Sequence, residues 1–287
     1  MEDRHHSVLF NRGLFQADTP LFPASSRAAR YGDGVFETVR VTRGSLVWWE
    51  LHKARLMAGA EALRLEVDID LLEDDIGQLL RLNGVSEGGV RISVSRRGGE
   101  RGYSPKSRLA DTVVETFDME PYQWREPLTV CLSSYRRPSG ATFPPGAKVA
   151  QGLTSTLAGV EAQESGFEDA ILLSDKGCVS ETTSGNIFWR KGERLYTPAL
   201  ECGIVNGVVR QQVMQQRASS VEEGSYPLDH LLSAEEVFKT NVVIGLRGIG
   251  SIVVGEGRYD FHSMTEGRQI FLENFSGLLP NQSAEIG

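Results

Sequence analysis

Residues 170–198, AILLSDKGCVSETTSGNIFWRKGERLYTP, read as two β-hairpins in succession. Apolar runs flank Asp175-Lys176-Gly177 in the first and Lys191-Gly192 in the second, where glycine supplies the backbone freedom of a tight turn. Upstream, Leu128 to Ser133 is a strand, and the loop PSGATFPPGA delivers Lys148. Leu153, Leu157 and Val160 then mark a helix ending near Gly166. Downstream, Val208 to Ala218 is helical and Glu236 to Val243 is a strand. The first half carries a helical face from Trp49 to Leu63 and another from Ile69 to Leu80, stopped by Asn83-Gly84. Gly89 to Ser95 alternates like a strand, opens into a glycine- and arginine-rich loop from Arg96 to Pro105, and a further strand covers Thr112 to Phe117. Two prolines among polar and aromatic residues in MEPYQWREP (119–127) mark a linker. The expected organisation is two mixed α/β domains, 1–121 and 128–287, joined by 122–127.

Composition narrows the function classes. A chain of 287 residues, 40% hydrophobic and 24% charged, has the make-up of a globular protein. Its net charge of -8 argues against nucleic acid, whose binders gather Lys and Arg. The start, MEDRHHSVLF, has no apolar stretch of signal-peptide length and no run approaches a membrane span, so a cytoplasmic location is expected. Three dispersed cysteines and five histidines show no metal-ligand spacing, and no metal is expected. There is no P-loop, no full dinucleotide fingerprint and no GxSxG elbow.

Lysine is scarce, with six in all: Lys53, Lys106, Lys148, Lys176, Lys191 and Lys239. Only Lys148 has small or apolar neighbours on both sides, Pro-Gly-Ala before it and Val-Ala after. Desolvation there favours the neutral amine, the form that condenses with carbonyls. Lys239, in EVFKTN, is the second candidate. Glu181, at the end of CVSET, could pair with a protonated ring nitrogen. ECGIVNG runs into the helix at Val208 and places free backbone N–H groups at its start, which suits an anion. Thr240, Asn241 and Arg55 could add donors to a phosphate.

In their order along the chain these pieces resemble the fold-type IV family of pyridoxal-phosphate (PLP) enzymes. Its members include branched-chain and D-amino-acid aminotransferases, R-selective amine aminotransferases and 4-amino-4-deoxychorismate lyase. YGDGVFETVR (31–40) matches the entry motif, and His52 with Arg55-Leu56 matches HxxRL, whose arginine binds cofactor phosphate. Lys148 matches the Schiff-base lysine. GCVSETTSGNIF matches GxVTExxxxNxF, so Glu181 inherits the pairing with the pyridine nitrogen. TPALECGIVNGVVR matches TPxLxxGIxxGxxR, where the N–H groups of Ile204 and Val205 hold the phosphate, with Thr240 and Asn241 beside them. The resemblance implies an N-terminal α/β domain, a barrel-like α/β C-terminal domain that carries the lysine, and a homodimer.

Among members, SRRGGERGYSP (95–105) and NIFWRKGERLYTP look most like the lyase. Leu153 stands where branched-chain aminotransferases carry tyrosine, which disfavours that group. D-amino-acid aminotransferases share the leucine and place a carboxylate-binding arginine at the position of Arg101. Tyr31, Phe36 and Tyr103 are the other expected substrate contacts. Glu37 replaces a threonine of some lyases but occurs in other lyases and in aminotransferases. The lyase reading comes first and a D-amino-acid or R-amine aminotransferase second. A non-catalytic cofactor binder would have no need of Lys148 or Glu181.

Overall fold

The computed structural model describes residues 7–138 and 143–278, which divide into two units. Residues up to Glu120 form the first together with Ala147–Gln151, and the second holds Pro121–Gly146 and the chain from Gly152.

The first unit opens with the hairpin β1 (Ser7–Phe10) and β2 (Gly13–Gln16). Helix α1 (Arg27–Tyr31), capped by Ser26 and closed by Gly32 in the left-handed region, leads into β3 (Gly34–Thr42) and β4 (Ser45–Leu46). Helices α2 (Trp49–Ala62) and α3 (Ile69–Leu82) follow, then β5 (Glu87–Arg96) and β6 (Ala110–Phe117). Asp68 caps α3 by accepting the Leu71 N–H at 3.1 Å, as a short carboxylate at that position does. The strands run β2-β1-β6-β5-β3-β4, antiparallel throughout. Val35, Val39 and Val41 of β3 and Val90, Ile92 and Val94 of β5 meet Leu56, Ala60, Leu72, Ile76 and Leu79 of the helices in one core. Alternation along β3 therefore turns Glu37 to the helix side, in a row that is otherwise apolar. A Cβ at Gly34 would lie 2.4 Å from the Val94 carbonyl oxygen, so the close approach of β3 to β5 requires glycine.

Lys148 belongs to this unit. The Phe36 N–H donates to the Lys148 carbonyl at 3.0 Å, the Ala150 N–H donates to the Gly34 carbonyl at 2.9 Å, and Val149 bridges Val35. The sequence reading put Lys148 inside a continuous domain 128–287; this main-chain pairing instead draws 147–151 to β3. Residues 139–142 of the loop before the lysine lie outside the described residues.

The second unit carries β7 (Leu128–Arg137), α4 (Leu153–Glu164), β8 (Asp169–Ser174), β9 (Val179–Thr182), β10 (Asn186–Lys191) and β11 (Arg194–Pro198). After a 3₁₀ turn at Leu200–Cys202 come α5 (Val208–Gln216), β12 (Val221–Gly224), α6 (Leu228–Leu232), β13 (Glu236–Asn241), β14 (Gly245–Val254), β15 (Gly257–Asp260) and α7 (Thr265–Phe275). Both hairpins of 170–198 form, β8 with β9 and β10 with β11. The sheet is mixed, ordered β12-β11-β10-β13-β14-β7-β8-β9, with β15 on β14. β7 pairs parallel with both β8 and β14. Every residue of β8 is buried, as a strand covered on both faces should be. Ile171 and Leu173 enter the main core with Val130, Ile187 and Ile252, while Ala170 and Leu172 pack with Ala158 and Ala162 of α4.

Candidate active site

In the first unit, α2 presents His52 and Arg55 to Glu37 across the core side of β3. Arg55 meets the carboxylate with two prongs, Nε to Oε1 at 2.7 Å and Nη2 to Oε2 at 2.6 Å. His52 Nδ1 lies 2.7 Å from Oε2, and the Glu37 and His52 side chains are both fully buried. Burial pushes the Glu37 pKa up, but the Arg55 charge and the hydrogen bonds from Arg55 and His52 outweigh it and leave it at about 2. Burial likewise pushes the His52 imidazole below its ordinary value, which keeps it neutral. Nδ1 then carries the proton given to Glu37, and the buried Nε2 has no hydrogen-bond partner among the described residues. The half-buried Lys148 places Nζ 4.3 Å from the centre of the Phe36 ring, and the Arg91 guanidinium lies 4.2 Å from the same ring.

Substrate candidates cluster around the loop between β5 and β6. The Tyr31 hydroxyl accepts the Gly102 N–H at 2.8 Å, and its ring stands 5.6 Å from that of Tyr103. Arg101 and Tyr103 are exposed, Tyr103 at 90%.

In the second unit, buried Glu181 ends the first hairpin. Its Oε1 pairs with Arg137 Nη2 at 2.9 Å, and its Oε2 accepts the Val205 N–H at 3.0 Å and Asn186 Nδ2 at 3.2 Å. Asn186 also donates to the Val205 carbonyl at 2.8 Å, and Arg137 Nε to that of Gly203 at 3.2 Å. Gly207 begins α5 against this cluster; a Cβ there would lie 1.9 Å from Asn186 Oδ1. Ile204 is buried in the same loop, whose backbone runs beside Gly146 through the Asn206 N–H. The Val205 N–H, expected at a phosphate, here serves Glu181. Asn241 is engaged in its own turn, donating to the Ser184 carbonyl and accepting the N–H groups of Val243 and Ile244, each at 2.9 Å. Thr240 is 1% exposed, yet its hydroxyl has no partner among the described residues. An anionic ligand group would complete it.

Lys239, the second lysine candidate, is buried in an ion pair with Asp169 and donates to Ser184 Oγ at 2.9 Å. Burial pushes the Asp169 pKa up, but the Lys239 charge and the hydrogen bonds it receives hold it below the usual carboxylate range. Lys239 is thus committed to structure. Among the described residues, no group of three or more His, Cys, Asp or Glu side chains is placed to hold a metal ion. No helix among them is long and apolar enough to cross a membrane.

The family model for amino-transferase class IV matches residues 34–252. The chain belongs to this family. Class IV enzymes depend on PLP; within the second unit the orphaned Thr240 hydroxyl suits a phosphate and the buried Glu181 carboxylate a protonated ring nitrogen, and within the first unit the Lys148 amine has the chemistry to meet an aldehyde. The aminodeoxychorismate lyase of Vibrio harveyi is 31% identical over 258 residues, covering 87% of this chain and 93% of the lyase. The D-alanine aminotransferase of Bacillus licheniformis is 29% identical over 87% of this chain and 90% of its own. The branched-chain aminotransferase of Thermoproteus uzoniensis, solved with norvaline, superposes with a TM-score of 0.88 at 23% identity, over 97% of this chain and 96% of that one. This last likeness carries the fold: the mixed α/β class IV architecture is the one expected.

Two buried pairings, one in each unit, are not visible in the sequence alone. Arg137 lies in YRRP, which reads as a polar strand end, and no local pattern ties it to Glu181. Glu37 was set aside because both reaction types carry glutamate there; its place in an apolar row of β3 was the available signal.

Proposed function

We propose that this class IV enzyme is a lyase that converts 4-amino-4-deoxychorismate to 4-aminobenzoate and pyruvate, with Lys148 as the residue to which PLP is attached. The observation that carries the reading is the likeness to a lyase over nearly that enzyme's whole length, supported by the lyase-like loop Ser95–Pro105. PLP, when bound, supplies an electron sink for the carbon that bears the substrate amine. Arg55 and Thr240 would hold the phosphate, with Ile204, Val205 and Asn241 as the other expected contacts, and Glu181 would keep a proton on the ring nitrogen. Lys148 Nζ would serve as the base that takes the proton from that carbon. The adjacent C–O bond then breaks, enolpyruvate departs to become pyruvate, and the ring that remains is aromatic. Tyr31 and Phe36 line the substrate, and Arg101, with Tyr103, meets a substrate carboxylate. The enzyme acts as a homodimer in the cytoplasm.

A second reading, favoured by the likeness to D-alanine aminotransferase, is transfer of the amine from a D-amino acid or R-amine to a 2-oxo acid. Holoenzyme given 4-amino-4-deoxychorismate should release 4-aminobenzoate and pyruvate with its visible absorption band restored. Conversion to the pyridoxamine form by D-amino acids or (R)-1-phenylethylamine, with no 4-aminobenzoate, would replace the first reading by the second.

A further inference from the structure

Asp33 lies where two buried arginines converge. Its Oδ2 accepts Arg27 Nε at 2.8 Å and Arg96 Nε at 3.0 Å, and the two arginine side chains are 4% and 7% exposed. Further nitrogens of both arginines reach main-chain carbonyls. Arg27 Nη1 donates to Gly102 at 3.0 Å and Glu100 at 3.4 Å, and Arg96 Nη1 donates to Ser107 at 2.9 Å. Arg96 Nη2 ties the same cluster to the Leu63 carbonyl at 2.5 Å, at the end of α2. Gly98 and Gly102, at φ +138° and +89°, give the loop bends that a side chain would resist.

These guanidinium anchors grip the loop by its backbone, which leaves the side chains of Arg101 and Tyr103 outside the network and exposed. Two guanidiniums around a single carboxylate oxygen are held there by its charge. Removing that charge leaves like charges facing each other in a partly desolvated place.

We propose that Asp33, acting through Arg27 and Arg96, is a positioning residue that fixes the loop between β5 and β6 and so sets the enzyme's selectivity for carboxylated ligands through Arg101. The inference rests on the reading of Arg101 as a carboxylate contact. Its test uses holoenzyme and two ligands that differ only by the carboxylate, 4-aminobenzoate and aniline, with dissociation constants read from the cofactor absorption band. Asp33→Asn should weaken 4-aminobenzoate by about tenfold, as loss of a charge-assisted contact does, and leave aniline unchanged. Trypsin should cut after Arg101 faster in the variant than in the parent. Arg101→Ala should lose the same ligand selectively, and the double variant should lose no more than either single one. Arg27→Gln keeps the Asp33–Arg96 pair and removes the Arg27–Asp33 pair together with the Glu100 and Gly102 anchors, so it should reproduce both effects if Asp33→Asn does not fold. Equal weakening of both ligands by the Asp33 and Arg27 variants, or no weakening of either, overturns the proposal. If Arg101→Ala fails to discriminate while loop cleavage still rises in Asp33→Asn, the carboxylate reading of Arg101 falls and Asp33 is left with a purely structural task.

Discussion

Glu37 and Glu181 are both buried glutamates paired with an arginine, one in each unit, but they are held differently. Both partners of Glu37 come from one helix, at positions 52 and 55, so a single rigid element closes a two-pronged bridge around it. The partners of Glu181 come from a strand end, a neighbouring strand and a loop: Arg137, Asn186 and the Val205 N–H. The first carboxylate is saturated by side chains that carry or share positive charge. The second is held largely by neutral donors, and its arginine is more accessible, at 17% against 8% for Arg55. Under the proposed function the contrast would suit two tasks: a rigid pair to keep Arg55 on the phosphate, and a carboxylate held by several weaker contacts that can turn toward the ring nitrogen.

The largest expected effect separates the two pairs by stability. Glu37→Ala leaves Arg55 buried without its counter-charge and should cost about 3–5 kcal/mol. Glu181→Ala should cost about 1–3 kcal/mol, because Arg137 keeps the Gly203 carbonyl and some solvent. Denaturant midpoints of the two apo variants measure both, and equal costs would break the comparison. Acid should separate them next. The Glu37 pKa falls from its ordinary 4.5 to about 2 in the fold, so its contribution is complete above pH 4.5 and drains away as pH falls toward 2. Glu37→Gln should flatten that part of the stability–pH curve by up to about 3 kcal/mol.

Cofactor titration then sharpens the functional half. Glu37→Gln should loosen PLP by about tenfold through a misplaced Arg55. Glu181→Gln should retain PLP but shift its absorption band and slow turnover by about a hundredfold or more. The smallest effect belongs to a neutral control. Trp189 Nε1 donates to His230 Nδ1 at 3.0 Å, and burial holds the His230 pKa below its ordinary 6.5. The contribution of neutral His230 is present above pH 6.5 and declines as pH falls below it. Loss of this bond in His230→Phe should cost about 1 kcal/mol, followed by tryptophan fluorescence.

Legibility in the sequence follows the same contrast. Helices α2 and α3 could be read because periodicity and the stop signal Asn83-Gly84 are local, and the His52/Arg55 spacing already places both on one helix face. The hairpins of 170–198 could be read from their turns. Helix α7 escaped because its start is capped from afar: the Glu236 carboxylate on β13 accepts the N–H groups of Gly267 at 2.6 Å and Glu266 at 3.1 Å. The parallel pairing of β7 with β14 joins segments over a hundred residues apart, with nothing local to announce it. Arg137, Asp33 and Arg96 were hidden for the same reason, since each acquires its role from partners the fold supplies.

The rung that Lys148 adds to β3 has a consequence outside chemistry. β4 pairs with β3 only at Val41 and Thr42, so the Gly34–Phe36 end would otherwise present unpaired main-chain groups. Residues 148–150 cover that end and blunt an edge on which another chain could add a strand. Drift in this short segment is therefore restrained twice, by the need for an amine and by the need to stay unaggregated. A loop graft that kept the lysine but broke the two hydrogen bonds would be expected to fail first as a solubility defect, before any loss of activity could be measured.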